Sequence, residues 1–217
     1  MNPELERALR DNRLWRGGLP GGRPPAVATG FETLDALLPG GGWPRGALTE
    51  LLVPGEGIGA LQLLMPALAQ LSRERRWIAW VAPPYVPYAP ALAAAEVDLS
   101  RQLLVHPRAD SDGLWALEQT LRSGTCGAVL AWPLAGDGRV LRRLQLAAEA
   151  GESCGFLFRP LAMARHFSPA AVRLEVQREG EGLSVRILKR RGGWAAGPVH
   201  IPYATLTAPR PSGRPLS

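Results

Sequence analysis

Cysteine is scarce in this chain: 217 residues hold two, Cys126 and Cys154. Two thiols make neither a disulfide framework nor a metal site built on cysteines alone, and a reducing cytosol suits them. Lysine is scarcer still, with Lys189 the sole example. No uninterrupted apolar run approaches the ~20 residues that a membrane-spanning helix needs. The opening segment, MNPELERALRDNRLWRG, is charged where a secretory signal would be apolar, which argues against export. The three histidines, His106, His166 and His200, lack metal-ligand spacing, so no metal is expected.

What is present is an ordinary globular balance, 46% hydrophobic and 20% charged, able to bury a real core. The length fits one domain with appendages, at roughly 150 residues per domain. The net charge of +6 is unevenly placed. Residues 1–138 carry 12 Arg against 14 acidic residues, whereas residues 139–217 carry 12 Arg and Lys189 against 5. A positive excess confined to the last third suits a polyanion such as DNA. A compositional bias toward Arg, Gly and Pro accounts for it equally well.

Residues 1–16 form an amphipathic stretch, with Leu5, Leu9, Leu14 and Trp15 as its apolar face. Such an arm packs on a partner, on a neighbouring subunit or back on its own core. A Gly/Pro-rich linker over 17–28 follows, too rich in breakers for a helix. From residue 29 to 203 the pattern alternates. Thr29 is placed to cap a short helix through FETLDALL, ended by Pro39-Gly40-Gly41-Gly42. Strands are expected at 47–53, 77–82, 102–107, 126–132 and 154–159. Helices are expected at 60–73, within PYAPALAAAEVDL, at 112–124 and at 139–151. That alternation predicts an α/β fold with a mostly parallel central sheet between two helical layers. AVRLEVQRE and GLSVRILKR alternate with period two across Gly180-Glu181-Gly182, an antiparallel C-terminal hairpin. The Pro-rich tail, 204–217, is expected to be disordered.

A strand, a Gly-rich turn and a helix form the setting of a phosphate-binding loop, which needs a Lys for the β/γ-phosphates and a Ser/Thr hydroxyl for Mg²⁺. Here the turn carries Gly55, Gly57 and Gly59, and then Ala60 and Leu61 where the lysine and hydroxyl belong. Glu56 adds a negative charge where a triphosphate requires the opposite. No nucleotide, and no other cofactor, is expected to bind with useful affinity.

The stretch TGFETLDALLPGGGWPRGALTELLVPGEGIGALQLL resembles the opening of the RecA-like recombinase core, and the likeness runs through WIAWVAPP, SRQLLVHP, GLWALEQTLRSG and CGAVLAW to LKRRGG. It implies a RecA-like three-layer α/β/α core over most of 29–193. Within that superfamily the chain looks most like the ImuA family, on TGFETLDALLPGGGWPRGALTELL, PPYVPYAPALAAA, LRRLQLAAEAG, FLFRP, SPAAVRLEV and LKRRGG. Against active RecA proteins three further groups are missing. Ala82-Pro83-Pro84 stands where a catalytic glutamate belongs, Ala131-Trp132-Pro133 where a metal-holding aspartate belongs, and Arg159-Pro160 where a phosphate-sensing glutamine belongs. The resemblance therefore implies a RecA fold without catalysis.

An ImuA-like protein would act in SOS-induced mutagenic translesion DNA synthesis, in the cytoplasm, with ImuB (a Y-family polymerase homologue) and an error-prone C-family DNA polymerase. RecA itself, single-stranded or primer–template DNA, and further copies of the chain are additional candidate partners. In RecA proteins a DNA-binding loop follows the fifth strand, which here places Arg165 and His166 as candidates. Arg142 and Arg143 on the preceding helix and Lys189-Arg190-Arg191 at the hairpin's end complete a candidate phosphate-binding surface. Each also reads as a solvated basic face. Phe167 is either a base-stacking residue or a core one. Cys126 and Cys154 are expected to be inert core thiols, and Trp43, Trp77, Trp80, Trp115 and Trp132 to serve packing. Tyr85 and Tyr88, among Pro83, Pro84, Pro87 and Pro90, form either a protein-binding patch or a stiff loop. The alternative family is SulA, nucleotide-free RecA relatives that inhibit cell division by binding FtsZ.

Overall fold

A computed structural model describes residues 24–132 and 137–207. The expected arm residues Leu5, Leu9, Leu14 and Trp15, Pro133, and the tail from 208 onward lie outside the described residues. The elements in chain order are β1 (Ala26–Val27), α1 (Glu32–Asp35), β2 (Trp43–Pro44), β3 (Ala47–Val53), α2 (Met65–Arg73), β4 (Trp77–Val81), α3 (Ala89–Ala94), β5 (Gln102–Val105), α4 (Asp110–Arg122), β6 (Cys126–Ala131), α5 (Gly138–Gly151), β7 (Cys154–Pro160), β8 (Val172–Glu179), β9 (Gly182–Arg190), β10 (Ala196–Pro202) and α6 (Tyr203–Thr207).

The main sheet has eight strands in the order β10-β9-β8-β3-β7-β6-β4-β5. β5, β4, β6, β7, β3 and β8 run parallel, and β9 and β10 add antiparallel to β8. The period-two alternation of the strands sorts their side chains into two cores. Ile78, Trp80, Leu130, Phe156 and Phe158 face one layer with Leu68 and Leu71 of α2, Leu92 of α3 and the apolar side of the β8–β9 hairpin. Ala79, Val81, Val129 and Leu157 face the other, against Leu117 and Leu121 of α4 and Leu141 and Leu144 of α5. The expected three-layer α/β/α architecture with its antiparallel C-terminal strands is thus borne out.

Several boundaries differ from the sequence reading. Ala26 and Val27 pair with Pro44 and Trp43, so the end of the expected 17–28 linker belongs to the folded unit. The first helix is only four residues long, and Thr29 does not cap it directly. Thr29 Oγ1 accepts from Phe31 N (3.0 Å) while Thr29 N donates to Asp35 (2.8 Å), a brace laid across the helix start. The expected helix over 60–73 begins as a 3₁₀ turn, Ala60–Leu63, and becomes α-helical only from Met65. β10 and α6 were not anticipated, and α6 (Tyr203–Thr207) takes residues 204–207 out of the expected tail, with Leu206 buried. α5 starts where the Asp137 carboxylate accepts from the N–H groups of Arg139 and Val140, which holds its pKa below the usual range.

Candidate functional site

The C-terminal ends of parallel strands form the crevice in which open α/β sheets bind ligands. In this chain the ends of β3, β4, β6 and β7 open onto a cavity of about 520 Å³. Its walls are the turn from Pro54 to Leu61, the loop from Pro83 to Tyr88, Trp132, and Phe158 to Pro160. Gly55, Gly57, Gly59, Ala60 and Leu61 therefore share one chamber with Pro83, Pro84, Trp132, Arg159 and Pro160, which follow or end β4, β6 and β7. The geometry unites what the sequence could only align one position at a time.

Aromatic rings line this chamber. Trp132 lies stacked between Phe158 (centroids 4.5 Å apart, planes 5° apart) and Trp80 (6.2 Å, 15°). Trp80 is anchored by its indole N–H, which donates to Gln102 Oε1 at 2.8 Å. Above this stack the loop after β4 carries Tyr85 and Tyr88, each 72% exposed, stiffened by the surrounding prolines. The Gly-rich turn is tied from below by the C-terminal element: Tyr203 Oη donates to the Ile58 carbonyl (3.3 Å), and its ring packs against Gly59, whose φ of +89° suits glycine. Among the described residues the charged lining groups are Glu56 and Arg159. Arg159 is committed inward, since its Nη1 donates to Glu50 at 2.8 Å. No cluster of metal-ligating side chains occurs among the described residues.

Glu50 is the organising residue beside the chamber that the sequence reading did not single out. It lies fully buried on β3 and receives Arg159 Nη1, Arg173 Nε (2.6 Å) and Ser168 Oγ (2.9 Å). Arg173 also donates to the backbone carbonyls of Met163, Ala164 and His166, and Lys189 Nζ donates to that of Ser168 at 2.7 Å. One buried carboxylate thus organises the loop over 161–168, which presents Arg165, His166 and Phe167 to solvent. Phe167, at 83% exposure, is not a core residue. An acid in the otherwise apolar strand ALTELLV was the available signal, because a buried carboxylate demands cationic partners.

The remaining basic candidates divide. Arg142, Arg165 and His166 are exposed. Arg143 pairs with Glu118 (2.6 Å) and Arg191 with Glu149 (3.5 Å). Arg190 donates to the carbonyls of Trp194 and Leu37. Lys189 is partly desolvated, which lowers its pKa, with Arg173 adding to the effect. The repulsion among three consecutive cations is thus relieved by internal acceptors. Trp115, expected to serve core or inter-element packing, is 64% exposed on α4, because Leu117 and Leu121 supply that helix's buried face.

The model of the family described as "Cell division inhibitor SulA" matches residues 46–155, from the start of β3 into β7. The chain belongs to the SulA family. SulA relatives include the cell division inhibitor of Edwardsiella piscicida, 36% identical over 111 residues, a match covering 48% of this chain and 65% of that protein. Those of Photorhabdus laumondii (30% over 115 residues) and Yersinia pestis (30% over 118 residues) cover 53% and 54% of this chain, and 65% and 69% of theirs. The chain thus spans about two thirds of the SulA proteins it matches. A crystal structure of SulA from Pseudomonas aeruginosa aligns over 52% of this chain and 97% of its own, at 26% identity and a TM-score of 0.43. The SulA description names an inhibitor and no catalysed reaction. Among the described residues no helix is long and apolar enough to cross a membrane.

Proposed function

We propose that this SulA-family chain works without catalysis, as a binding protein of the DNA-damage response, and that the aromatic chamber at the former nucleotide site docks a protein partner. The observation that carries this reading is Trp132 stacked between Trp80 and Phe158 where a metal-binding carboxylate would stand. Such a site has no means of holding Mg²⁺ and a triphosphate, yet it presents apolar surface rimmed by two exposed tyrosines, the composition of a protein-binding hot spot. The relatives' name supplies the first reading, cell-division inhibition, and FtsZ is the partner that the SulA resemblance implies.

A second reading, an ImuA-like accessory role in translesion synthesis with ImuB, is supported by a specific observation. FLFRP, SPAAVRLEV and LKRRGG lie beyond the residues matched by the SulA model. They contribute Arg159, Ser168, Arg173 and Lys189 to the cluster around Glu50, so they are integral to this fold. In that setting the Arg165–His166–Phe167 loop is a DNA-contacting candidate, together with Arg142. Lys189, Arg190, Arg143 and Arg191 would reach phosphates only by exchanging internal partners.

Parallel capture of purified FtsZ and ImuB by the immobilised chain separates the two readings. Retention of one partner, reduced at least tenfold by Tyr85→Ser with Tyr88→Ser, is expected. Retention unaffected by those changes would remove the chamber as the docking surface.

A further inference from the structure

Several accessible rings of this arginine-rich chain carry a cation of the chain's own. Arg101 lies over Trp77 at 5.6 Å from the ring centroid, Lys189 over Phe167 at 5.8 Å, and Arg178 over the partly buried Tyr203 at 5.6 Å. Tyr85 and Tyr88 break that pattern. Each is 72% exposed, and among the described residues neither has a cation or a second ring against it. Trp115 and Trp194 are bare as well, but neither lines the chamber.

The same chamber holds a carboxylate that nothing in the fold uses. Glu56 is exposed on the Gly-rich turn and makes no ion pair or hydrogen bond among the described residues. Its neighbours Gly55 and Gly57 leave it accessible, since a Cβ on either would meet nothing within 4 Å. Arg159, the lining cation, is nearly buried and held by Glu50 at 2.8 Å. Bare aromatic faces attract cations, and a carboxylate on the same cavity adds to that pull. A guanidinium answers both groups, because it stacks flat on a ring while its N–H fork grips a carboxylate. An ammonium is more strongly hydrated and does not stack. Ile58, Leu61, Val86 and Phe158 make the rest of the lining apolar, which suits an arginine flanked by apolar residues.

We infer that the chamber recognises an arginine on an apolar segment of a protein partner, its guanidinium stacked on Tyr85 or Tyr88 and paired with Glu56. The inference names the chemistry of the partner and rests on the docking reading above.

The probe is the capped peptide acetyl-Leu-Pro-Arg-Pro-Leu-amide, beside a second peptide in which citrulline keeps the planar side chain and removes its charge. Amide signals of the ¹⁵N-labelled full chain are followed as each peptide is added. The arginine peptide should shift Gly57, Tyr85 and Tyr88 saturably, and the citrulline peptide should bind about tenfold more weakly. Glu56→Gln alters an exposed side chain with no internal partner, so it tests binding without disturbing the fold. It should bring the arginine peptide down to the affinity of the citrulline peptide and leave the latter unchanged. No saturable shift, shifts confined to other surfaces, equal affinity of the two peptides, or an arginine peptide indifferent to Glu56→Gln would each overturn the inference. Capture of FtsZ and ImuB by the same variants tells this failure from failure of the docking reading. Retention lost with Tyr85→Ser and Tyr88→Ser but unchanged by Glu56→Gln removes the arginine and keeps the docking surface. Retention that neither change affects removes both.

Discussion

Arg173 and Glu50 stand 123 residues apart in sequence and meet inside the protein, Nε to Oε2, at 2.6 Å. Because β8 lies beside β3 in parallel register, with Glu50 opposite Arg173, the pair couples the strand that feeds the Gly-rich turn to the hairpin. Arg159 joins it from β7, on the other side of β3. Glu50→Ala leaves two guanidinium groups buried without their shared counter-charge, and breaking a buried pair from one side costs about 3–5 kcal/mol. Urea unfolding should show that loss, and Arg173→Leu added to Glu50→Ala should recover part of it, since one uncompensated cation is then gone. A Glu50→Ala protein as stable as the parent would mean that the cluster contributes nothing to the fold.

Restoring phosphate-loop groups to the chamber should not make it bind nucleotide. Ala60→Lys with Leu61→Thr supplies the two groups of a phosphate loop, but Trp132, Pro83 and Pro84 still line the chamber with no carboxylate to hold a metal or act as a base. Titration calorimetry with Mg·ATP should give no binding heat and a phosphate-release assay no turnover. Either signal would show that the chamber tolerates a nucleotide after all.

The layers, the parallel sheet and the hairpin were legible in the sequence because the buried strands are short apolar runs separated by helices with a clear apolar face. Ala47–Val53 and Gly138–Gly151 fall where that periodicity puts them, the second to within one residue. That Ala60, Leu61 and Trp132 line one cavity follows from their places just past β3 and β6, which the same periodicity locates. β1 and β2 were hidden because two-residue strands carry no period. The Glu50 cluster was hidden because its members come from β3, β7 and β8, and only the strand order brings them together. The exposure of Trp115 was hidden because an aromatic in an apolar segment does not say which side of the helix it takes.

Glycine is obligatory where α5 passes α4. A Cβ on Gly151 would lie 2.0 Å from the Leu121 carbonyl oxygen, which already accepts from Ser153 Oγ at 2.9 Å. Gly151→Ala must therefore push two helix ends apart, at a cost of about 1–3 kcal/mol for overpacking. Gly55→Ala meets nothing within 4 Å and should change stability by less than about 0.5 kcal/mol. Thermal unfolding of the two variants side by side checks the contrast, and equal melting temperatures would contradict it.

The thiols give a pH dependence whose sign is fixed by burial. Desolvation pushes Cys154 up to about 12 and raises Cys126 as well. The folded chain therefore keeps the Cys154 proton while the unfolded chain releases it above an ordinary thiol pKa of ~8.5. Between those two values the unfolded state binds fewer protons, so stability falls as pH rises, by about 1.4 kcal/mol per pH unit once the unfolded thiol is ionised. Below the unfolded pKa this contribution is constant. Urea midpoints measured from pH 8 to pH 10 should decline more steeply for the parent than for Cys154→Ala, which has no proton to lose there. The same burial withholds the thiolate that alkylating reagents require, so both cysteines should stay unmodified in the native protein at pH 8 and react fully in urea. Rapid native labelling at Cys154, or parallel pH profiles for the two proteins, would contradict a desolvated thiol at the head of β7.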